Sequence, residues 1–269
     1  MSGFSADWLA LREPYDLRAR NPIVLEAVAT YLEARPSVQV VDLASGTGST
    51  LRALSSRLPA RQNWKLIDNN PGLLSHAMAM PVPADIAVAA IPLDLDRDLE
   101  AALEGAIDLV TTSASLDLVS ETWLDRLARA VTWRSIPLYA VLSYDGRMAF
   151  TPSDPFDASI TTAVNAHQRT DKGFGPALGP AAAAFAIARF EALGYQVVHG
   201  ASDWVLRPED VDIQNEILGG WASAAHDTRA LSPADAEAWL TRRRAAVDGG
   251  RSSLDVGHVD FFATPRATR

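Results

Sequence analysis

The sequence predicts an α/β domain with a doubly wound, parallel sheet, and three observations carry that prediction. Short β-branched runs alternate with helix-patterned stretches between Val38 and Tyr144, the rhythm of βαβ units. The first run, Val38 to Leu43, passes through a loop of small residues with glycines at Gly46 and Gly48. It then enters a helix, Thr50 to Leu58, whose Leu51, Leu54 and Leu58 share one face. The first three runs also end on or beside an acid, at Asp42, Asp68 and Asp94.

In chain order, Trp8 to Asn21 is a polar and aromatic leader with a break expected at Pro14. Pro22 opens an amphipathic helix to Leu32. The corner from Val40 to Leu51 has the makings of a nucleotide-type site. Glycine lets backbone approach a ligand, and the first N–H groups of the following helix are unpaired. Asp42 discriminates between ligands, because a carboxylate there repels a pyrophosphate and attracts an ammonium or sulfonium group. Leu51 stands where a dinucleotide fingerprint has a third Gly or Ala. Asp68, at the end of the second run, lies at the distance from the glycine loop where doubly wound sites place a carboxylate on ribose hydroxyls.

The stretch Asp42-Leu43-Ala44-Ser45-Gly46-Thr47-Gly48 resembles motif I of the class I S-adenosylmethionine-dependent methyltransferases, D/E-x-G-x-G-x-G, with Ala44 at the first glycine. The resemblance implies a mainly parallel seven-stranded, Rossmann-like sheet with its last strand reversed, and S-adenosylmethionine as cofactor. It implies that Ala44, Ser45, Gly46 and Gly48 wrap the cofactor and that Asp68 and Asn69 hold the ribose. Asp94 and the backbone of Leu95 would meet the adenine, and Ser113 would close the site after the fourth strand. An N-terminal cover, residues 1–35, would bring Arg12, Tyr15 and Arg20 to the methionine carboxylate. Each assignment has a structural alternative: strand-end acids also cap helices, and the leader also packs on a sheet edge.

The fourth run, Ile107 to Ser113, leads to Asp117 and a helix from Glu121 to Val131; the fifth run is Ile136 to Tyr144. Residues 146–180 leave the βαβ rhythm. A helix from Phe156 to Gln168 is followed by a basic and then glycine-rich stretch, expected as a lid over the site. His167, Asp117 and Tyr144 are the candidate bases. Asp145, Arg169, Lys172 and Trp204 are the candidate acceptor contacts. The competing reading makes His167, Arg169 and Lys172 a helix C-terminus and Asp117 a helix cap. A helix from Pro180 to Leu193 precedes a sixth strand, Tyr195 to His199. A second helical insertion fills 205–250, its Arg242-Arg243-Arg244 run read as a solvated helix end. Leu254 to Ala263 is the last strand, antiparallel beside the sixth. The chain is read as one domain, 1–269.

A formal charge of −9 over 269 residues argues against nucleic acid as a partner. The absence of cysteine excludes disulfides and thiolate chemistry. No metal site is expected. The start, Met1 to Trp8, has no basic stretch leading into an apolar one, and no apolar run reaches membrane-spanning length, so a cytoplasmic protein without membrane insertion is expected. The expected function is methyl transfer to a small-molecule acceptor, with oligomeric state left open. An NAD(P)-dependent oxidoreductase and a non-catalytic S-adenosylmethionine-binding protein are the alternatives.

Overall fold

The computed structural model describes residues 4–266, so Met1 to Gly3, part of the stretch read for a leader, lie outside it. Strands β1 (Val38–Leu43), β2 (Gln62–Asp68), β3 (Ile86–Pro92), β4 (Leu109–Ser113), β5 (Leu138–Thr151), β6 (Tyr195–Ala201), β7 (Trp204–Leu206) and β8 (Ser253–Pro265) form one sheet. Its order is β3-β2-β1-β4-β5-β8-β6, with β7 paired to β8 off that path. The neighbours from β3 to β5 are parallel. β8 runs antiparallel to β5, β6 and β7. The expected seven-stranded order with a reversed last strand is present, and the short β7 is added to it.

The helices are α1 (Ala6–Ala19), α2 (Pro22–Leu32), α3 (Ser49–Leu54), α4 (Pro71–Ala79), α5 (Leu99–Ala102), α6 (Glu121–Trp133), α7 (Asp157–His167), α8 (Ala182–Ala192), α9 (Val211–Asp227) and α10 (Pro233–Asp248). Strand periodicity decides which helix meets which face. Val38 and Val40 pack with α2, α3 and α4, whereas Val41 and Leu43 pack with α5, α6 and α8. α6 shows why such a helix forms. Ser120 caps it by accepting the Trp123 N–H at 3.2 Å. Trp123, Leu124, Leu127, Ala128 and Val131 then recur at helical spacing on the buried side. Burial of each large apolar side chain contributes roughly 1.5–3 kcal/mol. Asn21 and Asn70 cap α2 and α4 in the same manner, each followed by a proline in the first turn.

A third core lies beyond the carboxyl ends of the strands, where α7, α9 and α10 cover the distal halves of β5 and β8. Three expectations change here. The leader does not break at Pro14, which sits inside the continuous α1. Packing of Trp8, Leu11 and Tyr15 against the third core overrides the missing backbone donor. Residues 146–151 are not part of a helical insertion but the continuation of β5, paired with β8 from Met148–Val256 to Thr151–Ser253. Arg243 is not solvated. It is 2 % exposed, paired with Asp157, and donates to the Pro152 carbonyl at 2.6 Å. α10 turns this cation inward to the half-buried Asp157, which also accepts from Trp239 Nε1 at 2.9 Å. No helix among the described residues is long and apolar enough to cross a membrane.

Candidate functional site

The carboxyl ends of β1 to β4 open onto an inner cavity of about 190 Å³, the place where doubly wound sheets bind ligands. It joins an outer cavity of about 960 Å³ under the helical cap. Phe4, Arg12, Asn69, Asn70, Ala114 and Leu118 line both and mark the boundary between them.

The loop after β1 shapes the inner cavity by its backbone. Ala44, Gly46 and Gly48 all hold positive φ, at 52°, 52° and 81°. Gly46 has a packing requirement as well, since a Cβ there would meet Leu9 Cδ1 at 3.0 Å. Ala44 occupies the left-handed region at a strain of roughly 1–2 kcal/mol. Asp68 fastens this loop: its carboxylate accepts the Gly46 N–H at 2.8 Å and the Asn70 N–H at 2.9 Å. A carboxylate has about four acceptor positions, so it retains capacity for a ligand hydroxyl. Of the residues selected from sequence for the cofactor, Ala44, Ser45, Gly46, Asp68, Asn69 and Ser113 line the inner cavity. Leu95 does too, held by Trp123 Nε1, which donates to its carbonyl at 2.7 Å.

Other sequence-selected residues lie elsewhere. Asp42 is 1 % exposed beneath the loop, off the cavity wall. Its Oδ1 accepts the Thr111 hydroxyl at 2.7 Å, and its Oδ2 has no partner among the described residues. Burial pushes its carboxyl up to about 7, so it is not the fixed surface anion that the motif suggests. Arg20 is also enclosed, 6.0 Å above the Tyr139 ring. Gly48 caps α3 and does not reach the cavity. Asp94 faces outward, accepting the Asp96 N–H at 3.0 Å with Arg97 nearby; β3 is the sheet edge, and its following turn satisfies itself. Tyr15 turns away too, 6.4 Å from Trp204 and stacked under Arg18 with its hydroxyl beside Asp210.

In the N-terminal cover, Arg12 reaches the inner cavity together with Asp16, which the sequence reading missed. Arg12 Nε donates to Asp16 Oδ2 at 2.9 Å, and Trp204 Nε1 donates to Asp16 Oδ1 at 3.0 Å. The signal was available, since an Arg and an Asp one helical turn apart pair readily, but the expected break at Pro14 hid it. Phe174, from the glycine-rich stretch, packs edge-on to Trp123 at 5.3 Å and closes one side of the inner cavity.

Asp117, Tyr144, His167, Lys172 and Trp204, selected from sequence as bases or acceptor contacts, all line the outer cavity. Asp117 is 5 % exposed and burial pushes its carboxyl up to about 6. Gln168 Nε2 donates to it at 3.3 Å. The Tyr144 hydroxyl donates to Asn165 Oδ1 at 2.7 Å, and burial raises its pKa well above the usual phenol range. His167 Nδ1 lies 3.4 Å from Lys172 Nζ. Burial lowers both of their pKa values. His258 was not singled out by sequence, yet it lines the same cavity. It is buried against Trp204 with Nδ1 unpartnered among the described residues, and burial pushes its pKa down to about 3. The other two acceptor candidates do not converge. Asp145 is held by Arg147, which also grips Asp203. Arg169 is exposed and donates to the Asn165 carbonyl at 3.3 Å. No group of three or more His, Cys, Asp or Glu among the described residues is arranged to hold a metal ion.

No family model matches the chain, and no curated protein sequence matches it. Solved structures do. A cyclopropane-fatty-acyl-phospholipid synthase-like protein from Lactobacillus casei aligns with a TM-score of 0.57 at 13 % identity, covering 97 % of this chain and 94 % of that one. The YcgJ protein from Bacillus subtilis aligns with a TM-score of 0.50 at 14 % identity, over 92 % of this chain and 100 % of that one. A putative methyltransferase from Bacillus halodurans gives a TM-score of 0.50 at 14 % identity, over 90 % and 98 %. These likenesses show the fold: a Rossmann-like α/β sheet of the methyltransferase type.

Proposed function

We propose that the chain is an S-adenosylmethionine-dependent methyltransferase acting on a small-molecule acceptor. One observation carries the reading. A single cavity at the carboxyl ends of the strands holds the Asp68 carboxylate and, from α1, the Arg12–Asp16 pair. The carboxylate suits ribose hydroxyls, and the paired opposite charges suit the zwitterionic head of an amino acid. A dinucleotide would need a close third glycine, and Leu51 is instead core, 3 % exposed.

The residues fit the cofactor. Leu93 and Leu95 supply apolar walls for a purine, and the loop at Ala44 to Gly46 presents backbone at close range. When bound, the cofactor supplies a methyl group already activated by its sulfonium. The chain then has to hold an acceptor in line and exclude water. Phe174 and Phe4 cover the inner cavity, and the turn from Ala114 to Leu118 separates the cofactor side from the acceptor side. Asp117 is the best placed of the three candidate bases, because it is buried on the acceptor side and its carboxyl titrates near neutral pH. Tyr144 is too weak an acid to work as its anion.

Isothermal titration with S-adenosylmethionine, S-adenosylhomocysteine and NAD(P) tests the reading. Micromolar binding of the adenosyl ligands, lost in Asp68→Ala, supports it. Binding of the dinucleotide instead overturns it. Methyl transfer with an acceptor panel then separates an enzyme from a non-catalytic binding protein.

A further inference from the structure

Two charges of opposite sign stand in the outer cavity without an ion pair. Lys172 is half-buried in its wall, and its Nζ meets only His167 Nδ1, at 3.4 Å, with no carboxylate in ion-pair reach among the described residues. The His167 ring is set by Asp227, whose Oδ2 lies 3.8 Å from Nε2, so Nδ1 faces the ammonium as an acceptor and holds it in place. Asp117 is 5 % exposed, and its one side-chain partner among the described residues is the neutral Gln168, at 3.3 Å. Arg12 is not available to either group: Asp16 takes it through two nitrogens, and it lies 4.9 Å over the Trp204 ring. Glu216 is at the exposed rim, where water screens it. A charge withdrawn from water without a partner is costly, and a ligand group of opposite sign offsets that cost.

Resting on the methyl-transfer reading above, we propose that the acceptor is an amino acid with an apolar side chain, its carboxylate on Lys172 and its ammonium on Asp117. The placement of the two charges orients it. Asp117 belongs to the turn from Ala114 to Leu118, of which Ala114, Ser115 and Leu118 reach the inner cavity, so a nitrogen held by Asp117 stands at the boundary that the methyl group must cross. Lys172 lines the outer cavity alone, on the side of α7 and α9. The side chain has apolar wall to cover at Met148, Val164, Ile217 and the half-buried Trp221, which packs edge-on to Phe150 at 5.5 Å. An N–H bond of the ammonium breaks with its proton passing to an Asp117 carboxylate oxygen. The freed nitrogen pair forms the N–CH3 bond as the carbon–sulfur pair returns to sulfur, leaving a protonated N-methyl amino acid, a neutral Asp117 and a thioether.

The experiment uses the full chain, with S-adenosylhomocysteine binding measured first by equilibrium dialysis. Calorimetric titration of the chain saturated with that ligand then compares racemic phenylalanine and racemic β-homophenylalanine, which differ in amine-to-carboxylate spacing, with phenethylamine and hydrocinnamate, which lack one charge each. The better of the two amino acids should bind about tenfold or more tighter than either single-charge analogue, and S-adenosylmethionine should convert it to its N-methyl product. Lys172→Met should erase its advantage over phenethylamine, and Asp117→Asn its advantage over hydrocinnamate. Both variants should keep the affinity for S-adenosylhomocysteine, which tells a lost contact from a misfolded chain; the comparison among ligands of the unsubstituted chain stands whether or not a variant folds. Equal or tighter binding of a single-charge analogue, methyl-ester formation on hydrocinnamate, an advantage that survives in either variant, or no binding of either amino acid overturns the acceptor assignment alone. Failure to bind S-adenosylhomocysteine overturns the parent reading and this one with it.

Discussion

Substitution of Asp68 probes the loop and the ligand together. Its two oxygens hold the Gly46 and Asn70 N–H groups at 2.8 and 2.9 Å. Hydrogen bonds to a charged group are worth roughly 1.5–3 kcal/mol each when buried, and these are part-buried, so the lower end applies. Asp68→Ala removes both bonds and should destabilise the protein by about 2–4 kcal/mol. Asp68→Asn keeps one acceptor oxygen and should lose about half of that. At this chain length each kcal/mol lowers Tm by roughly 2–4 °C. The expected shifts are therefore about 4–16 °C for Ala and about 2–8 °C for Asn. Ligand affinity should respond separately. Losing a carboxylate from two ribose hydroxyls costs about 3 kcal/mol, or ~100-fold in Kd for S-adenosylhomocysteine. Thermal unfolding with and without that ligand gives both quantities, since a bound ligand raises Tm by mass action. If Asp68→Asn unfolded at the wild-type temperature and kept the wild-type ligand shift, Asp68 would be neither the fastener of the loop nor a ligand contact.

Ala44→Gly should relieve left-handed strain of roughly 1–2 kcal/mol against a glycine entropy cost of roughly 0.5–1 kcal/mol. A small gain in urea midpoint is expected, and a loss would contradict the strain argument. Asp42→Asn should flatten the pH dependence of stability. A raised carboxyl pKa means that the folded state holds the proton more tightly, so the stability it confers is complete below about 4 and is lost as pH rises through about 7. Three pH units correspond to at most about 4 kcal/mol, so urea titrations at pH 8 should find the variant more stable than the wild type. Arg243→Met should destabilise by roughly 1.5–3 kcal/mol by removing the cation from the half-buried Asp157, which keeps the Trp239 Nε1 and Asp154 N–H donors. Adding Asp157→Asn should recover part of it, a coupling that a double-mutant cycle measures. His258→Phe should reduce the loss of stability between pH 6.5 and 4, because the neutral buried ring resists protonation in the folded state; calorimetry across that range reads the difference.

Periodicity and the glycine corner made the sheet legible from sequence, because a parallel strand buried on both faces must be apolar and a tight β–α turn must use small residues. The placement of Asp68, Asn69 and Ser113 along one edge of the sheet was readable for the same reason: the ends of consecutive parallel strands fall together whatever the helices between them do. Local sequence did not settle where a carboxylate points. Asp42 and Asp94 share the strand-end position of Asp68, yet one is enclosed beneath the loop and the other turns to solvent. Their environments come from neighbouring strands, with Thr111 beside Asp42 and an open edge beside Asp94. Arg12 and Asp16 join the site only because packing of α1 on the third core outweighs a proline. Asp117, Lys172 and His258 share a cavity although they stand 55 and 86 residues apart in sequence. Order along the chain determines which faces are apolar and which turns are tight; the meeting of distant polar groups depends on how those faces close over one another, and only the folded packing decides that.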